Sequence, residues 1–178
     1  MAYFGFRQSG GTGSAPTYEQ VPVKVAYNAG SIFYGDPVEP LATGYIQRAD
    51  GTTGTEGIAG IFVGCKYLST SQKRTVWSNY WPGSDTSGDV EAYIINDPNA
   101  TFIVNAPGIV AADVNANINY TIGTGDTATG ISGAYASGAA ATATLPFRIV
   151  ALADSVTGGA DNIIVRFNNV ATKSTTGI

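Results

Sequence analysis

The apolar residues of this chain come in short runs that alternate with polar ones. Each run stops within about 8–12 residues at Gly, Pro, Asn or Asp, a spacing that suits strands and leaves little room for long helices. Val21, Val23 and Val25 alternate with Pro22, Lys24 and Ala26 before the turn residues Asn28-Ala-Gly30. Ser31-Ile-Phe-Tyr34 ends at Gly35-Asp-Pro37, and Tyr45-Ile-Gln-Arg48 meets Asp50-Gly51. The strongest strand is Ile58-Ala-Gly-Ile-Phe-Val-Gly-Cys-Lys-Tyr-Leu68. Its alternation predicts Ile61, Val63, Cys65 and Tyr67 on one face, with Phe62, Lys66 and Leu68 on the other. Thr75-Val-Trp-Ser-Asn-Tyr-Trp81 reads as the antiparallel return, stopped by Pro82-Gly83. In that strand Trp77 and Trp81 share a face and Tyr80 takes the other. Val90–Ile95 and Thr101–Val104 flank Asn96-Asp-Pro-Asn99 and read as a hairpin. Phe147–Leu152 and Asn162–Phe167, separated by Thr157-Gly-Gly159, are the last clear strands. The expected fold is all-β, a small β-barrel or β-sandwich with at most one or two short helices.

Three segments depart from this pattern. Residues 1–20 read as a flexible N-terminal arm, with an aromatic tip at Tyr3, Phe4 and Phe6 and the linker-like run Ser9-Gly-Gly-Thr-Gly-Ser-Ala-Pro16. Residues 21–178 then form a single β domain. Between 109 and 122, apolar residues at 110, 112, 114, 116, 118 and 120 favour a strand. Val110, Val114 and Ile118 would also fit one helical face, but three asparagines are poor helix formers. Residues 123–143 are low in complexity, with Ile131 and Tyr135 as the only large apolar anchors, and read as a long loop or weak hairpin.

The chain is short of reactive groups. It has no histidine, one cysteine (Cys65), and charged residues at 12%, about half the usual share. Without histidine there is no Ser-His-Asp or Cys-His nucleophile and no ordinary zinc site. No enzyme activity, cofactor or metal is expected. The glycine-rich runs Gly10-Gly-Thr-Gly13 and Gly51-Thr-Thr-Gly54 lack the phosphate-loop pattern. Asp85, Asp89 and Glu91 could offer oxygens to calcium, yet their spacing is not that of an EF-hand loop. Cys65 lies mid-strand, and its neighbour Lys66 points to the opposite side, so an inert thiol is expected.

The nine basic residues are scattered over a chain of net charge −4, which argues against nucleic acid as a partner. No stretch approaches the ~18 apolar residues of a membrane helix. The first residues lack the basic and apolar pattern of a secretory signal, so the product is expected to remain in the cytoplasm that makes it. The densest aromatic group is Trp77, Tyr80 and Trp81, near Lys73 and Arg74. Such a group can be core, subunit interface or ligand site. The expected use is a subunit interface, while the arm residues Tyr3, Phe4, Phe6 and Arg7 are the expected partner contact.

Several ordered runs carry a resemblance. The turn Gly35-Asp-Pro-Val38, the link Gly51–Gly57 and the strand Ile58–Tyr67 resemble small β-barrel proteins encoded beside major capsid proteins in tailed bacteriophages. Lys73-Arg-Thr-Val-Trp-Ser-Asn-Tyr-Trp-Pro-Gly83 and Val90-Glu-Ala-Tyr-Ile-Ile-Asn-Asp-Pro-Asn-Ala-Thr-Phe102 are similar to the same group. The likeness covers roughly Val21 to Val104, with a weaker part from Phe147 to Phe167. It implies a capsid decoration, or cement, protein: a homo-oligomer, most often a trimer, seated on the outer surface of the virion against the major capsid protein. It offers no catalytic residues to carry over. The rival from the residues themselves is a carbohydrate-binding or adhesion β-sandwich module of a virion, using Trp77 and Trp81. A hydrolase relying on carboxylates alone is a third.

Overall fold

The computed structural model describes residues 3–10, 19–51, 57–154 and 160–173. The arm's linker-like stretch 11–18, the link 52–56 and the turn 155–159 lie outside the described residues. In chain order the strands are β1 Arg7–Gly10, β2 Val21–Val25, β3 Pro37–Pro40, β4 Ile46–Arg48, β5 Gly60–Leu68 and β6 Thr75–Ser78. They continue as β7 Val90–Ile95, β8 Thr101–Ile109, β9 Asn117–Thr121, β10 Tyr135–Ala140, β11 Phe147–Leu152 and β12 Ala160–Phe167. Two single-turn 3-10 helices, Ala111–Asp113 and Ala171–Lys173, complete the described elements. The chain is all-β, a five-stranded barrel packed on a second sheet.

The barrel runs β3-β4-β2-β7-β5 and closes where β3 pairs back to β5. All its pairings are antiparallel except the single Val25–Ile46 contact of β2 with β4. Closure removes free strand edges; β6 is an appendage paired with the later half of β5, along the edge on which β3 closes the barrel. The second sheet runs β1-β8-β12-β11-β9-β10. Phe62, Cys65, Tyr67, Trp81, Ala92 and Ile94 fill the barrel. Ile61, Ile95 and the half-buried Val63 point outward from the same strands into the core shared with the second sheet.

That division corrects the expected faces of β5. A β-bulge between Phe62 and Gly64 adds one residue against β7. Beyond a bulge the side-chain alternation is inverted. Phe62 therefore joins Cys65 and Tyr67 inside the barrel, and Ile61 and Val63 face the other core. The hairpin expected around Asn96–Asn99 is also corrected. The turn is there, with Ala100 N–H donating to the Asp97 carbonyl at 2.9 Å. Both edges of β7 are occupied by β2 and β5, so β8 leaves the barrel and pairs with β12 and β1. The ambiguous stretch 109–122 divides into a 3-10 turn and β9. Its Asn115 takes a left-handed φ of 74°, which asparagine tolerates better than most residues.

The arm expectation fails at Phe6, while Tyr3 and Phe4 are half-buried. Phe6 is 1% exposed and lies in the shared core, stacked on Phe147 at 4.4 Å and edge-on to Tyr120 at 6.5 Å. Arg7 and Gln8 pair with Ile103 and Phe102, and Phe6 N–H donates to the Gly35 carbonyl at 2.9 Å. A large apolar ring next to an open β8 edge finds both burial and backbone partners within its own chain. That outweighs the ordering cost of a short segment.

The low-complexity segment has a defined path. Residues 135–140 are β10, paired with β9, while 123–134 reach across to the barrel. Tyr34 N–H donates to the Gly130 carbonyl at 2.9 Å, and Ser132 N–H to the Tyr34 carbonyl at 3.0 Å. Glycine is needed because the two limbs touch backbone to backbone. A Cβ on Gly133 would sit 2.2 Å from the Thr124 carbonyl oxygen, and one on Gly123 equally close to the Gly133 oxygen. Gly133→Ala is expected to cost about 1–3 kcal/mol of stability, read as a lower thermal midpoint.

Under this segment lies the fully buried Asp36. Its Oδ1 accepts from Ser132 Oγ at 2.5 Å and its Oδ2 from Phe33 N–H at 2.8 Å. Arg48 Nε is 2.7 Å from Oδ2, off the hydrogen-bonding line, while Nη2 donates to Asp36 Oδ1 at 3.3 Å and to the Gly123 carbonyl at 2.9 Å. The cluster ties the barrel to residues 123–132.

Candidate functional site

The outer face of the barrel collects its exposed aromatic and charged side chains. Past the bulge, Lys66 turns outward from β5, opposite Trp77 on β6 and Glu91 on β7. Gly64 lies opposite Tyr93, and Lys24 of β2 opposite Glu91. Having no side chain at Gly64 leaves the space between β6 and β7 open. There the Trp77 and Tyr93 rings stack 5.9 Å apart and within 10° of parallel. Lys66 Nζ sits 5.2 Å from the Trp77 ring centroid, a cation–π distance. Trp77 remains 67% exposed.

The charges of this face are paired with one another. Tyr93 Oη donates to Glu91 Oε1 at 2.5 Å, and Lys66 Nζ to the same oxygen at 3.3 Å. These bonds, the tyrosine first, hold the Glu91 carboxyl below its usual range. The Tyr93 hydroxyl is pushed up by its bond to Glu91. Lys24 is raised by its hydrogen bond and charge contact with Asp89 at 2.5 Å. Exposed pairs of this kind add little to stability; what they do is neutralise the surface. A hollow of about 570 Å³ opens beside the two rings, lined by Gln20, Val63, Gly64, Ser78 and Asn79 as well. A larger cleft of about 670 Å³ lies at one end of the barrel, among Val25, Leu41, Tyr45, Trp81 and Val90, with Tyr27 at its lip and 92% exposed.

Of the expected interface residues, Trp77 is exposed, Tyr80 half-buried and Trp81 buried. The strand stops at Ser78 and the chain bends, so alternation no longer applies at the next two residues. Tyr80 packs on Phe33, ring centroids 5.6 Å apart. Trp81 bonds to Ile32 through both backbone groups and is 1% exposed, its indole edge-on to Tyr67 inside the barrel. Of the expected arm contacts, Phe6 is core. Tyr3 is half-buried against Tyr135 at 4.3 Å, and Arg7 sits over the Phe4 ring at 5.2 Å. The three carboxylates considered for calcium do not converge. Asp85 is held low by Ser69, Thr70 and Ser71, while Asp89 goes to Lys24 and Glu91 to Tyr93 and Lys66.

Sequence reasoning missed Tyr93, Glu91 and Lys66 as members of this face. Glu91 and Tyr93 are spaced to share one side of a strand, which was legible. Their meeting with Trp77 depended on which strand lies beside β7. Cys65 is buried, its Sγ 3.4 Å from the Tyr80 carbonyl oxygen, and burial pushes the thiol up to about 12. In the native protein at pH 8, Cys65 is expected to resist iodoacetamide, and to react only after unfolding. A native thiol that alkylates within minutes would contradict this. No family model matches the chain, and no curated protein or solved structure shows significant similarity to it.

Proposed function

We propose that this chain is a virion structural protein, a capsid decoration or cement protein that binds the outside of a bacteriophage head. In this reading it is made in the host cytoplasm, assembles as a homotrimer and contacts the major capsid protein without catalysing a reaction. The observation that carries the reading is the apolar cleft at the barrel end with Tyr27 exposed at its lip. A large exposed aromatic beside a concave apolar surface suits a contact made many times over a lattice. The resemblance from Val21 to Val104 supports it further, because that stretch supplies the whole barrel and the β6 appendage. The ionisable groups fit the same reading, since Asp36, Asp85 and Glu91 are all engaged by neighbours as structural ties.

In this reading the contact is made at the Tyr27 end, with the arm in a supporting role, because Phe6 is buried in the chain's own core. The test is to purify particles from infected cells and measure copy number and exposure. The protein should co-sediment with intact heads at a fixed ratio and be removed by surface proteolysis. The variant Tyr27→Ala should keep its thermal midpoint and lose particle binding at least about tenfold, the loss of one interface anchor. Light scattering of the free protein should give three times the chain mass. Heads that lack the protein would overturn the proposal.

A further inference from the structure

We infer that the Trp77–Tyr93 face of the barrel binds a neutral saccharide. The rings provide the apolar half of such a site. Aromatic faces carry negative charge density, and the C–H face of a pyranose is apolar and slightly positive, so ring and sugar stack. Trp77 offers this face while 67% exposed, nearly parallel to Tyr93 beside it. The hollow next to them, about 570 Å³, falls in the range of small-ligand sites.

The polar half is also in place. Both bonds to Glu91 fall on Oε1, which leaves Oε2 to accept from a sugar hydroxyl. Asn79 uses its Nδ2 to hold the Thr129 carbonyl at 2.7 Å, which fixes the amide with its Oδ1 as an acceptor. On the far side of Lys66 a smaller hollow of about 260 Å³ continues past Glu91 towards Lys24. The face is therefore long enough for more than one sugar ring.

Charge decides the class of ligand. The four charged groups of the face cancel in pairs, Lys66 with Glu91 and Lys24 with Asp89. An acidic or basic partner would find no unmatched complement there and would have to break these pairs. A neutral, polyhydroxylated ligand needs no counter-charge and hydrogen-bonds to groups whose positions are already set. This inference does not depend on the proposed attachment to a phage head, and its test uses the free protein.

The chain has two tryptophans, and Trp81 is buried, so a change in emission on titration reports Trp77. The probes are neutral oligosaccharides of glucose, galactose and N-acetylglucosamine, each taken to roughly 10 mM, a ceiling suited to weak sites. At least one should give a saturable shift in the wild-type protein. By isothermal titration calorimetry, which needs no tryptophan reporter, Trp77→Ala and Tyr93→Ala should each weaken binding at least tenfold with an unchanged circular dichroism spectrum. Trp77→Phe should retain it within a few-fold, and Glu91→Gln should weaken it. If none of the three series binds, or if Trp77→Ala binds as the wild type does, the inference is overturned. It is equally overturned if Trp77→Ala changes the oligomer's mass and no saccharide responds, because the face is then a protein interface.

Discussion

Phe6→Ala should lower the unfolding free energy by about 3–5 kcal/mol, the usual cost of removing a fully buried phenylalanine. For a chain of this size that is a drop in thermal midpoint of roughly 10 °C. The ring stacks on Phe147, stands edge-on to Tyr120 and belongs to the core that continues through Phe167 to Phe102. Little can collapse into the space, because its walls are rings fixed by several strands. Tyr3→Ala provides the contrast: Tyr3 stacks on Tyr135 at the surface and should cost about 1 kcal/mol. Urea denaturation of both variants measures the difference. A loss under about 1 kcal/mol for Phe6→Ala would show that the N-terminal segment is a detachable arm after all.

The second large effect is expected at Arg48. Removing one partner of a buried ion pair costs about 3–5 kcal/mol because the other charge is left uncompensated. In Arg48→Met that charge is Asp36, fully buried and still bonded to Ser132 and Phe33 N–H. The loss should depend on pH in a definite direction. Burial already raises the Asp36 carboxyl above its ordinary value of 3.8, against the opposing pull of Arg48 and the hydrogen bonds. A carboxyl raised on folding binds more protons in the native state, so stability falls as pH rises through the interval between the unfolded and folded values. Without Arg48 the folded value climbs further and the interval widens. The variant should therefore be weakest at neutral pH and recover towards the wild type on acidification to about pH 4. Asp36→Asn added to Arg48→Met should remove most of this pH dependence. A deficit that is constant from pH 4 to 8 would contradict the account.

Asp36 shows what a sequence reading passes over. In Gly35-Asp-Pro37 it has the appearance of an ordinary turn residue, and nothing local marks it as buried. Its partners, Arg48 and Ser132, come from elsewhere in the chain and meet only when residues 123–134 cross the barrel. The aromatic face has the same origin. Trp77 was legible as a candidate, whereas Tyr93, Glu91 and Lys66 joined it through strand neighbours that the sequence does not name.

What the sequence determined by itself is the local part. Period-two runs and turn residues dictated an all-β chain, because alternation and punctuation act over a few residues. The lack of histidine and the lone buried cysteine follow from composition and strand phase. The tertiary structure decided which strands pair, where one extra residue inverts a strand's faces, and which apolar residues find cover. The bulge at Phe62–Gly64 moved Phe62 into the barrel, the filled edges of β7 sent β8 to the other sheet, and the open edge of β8 drew in β1 with Phe6 ahead of it. Each outcome depends on competition among distant segments for a limited number of strand edges and core positions. Local sequence does not record that competition.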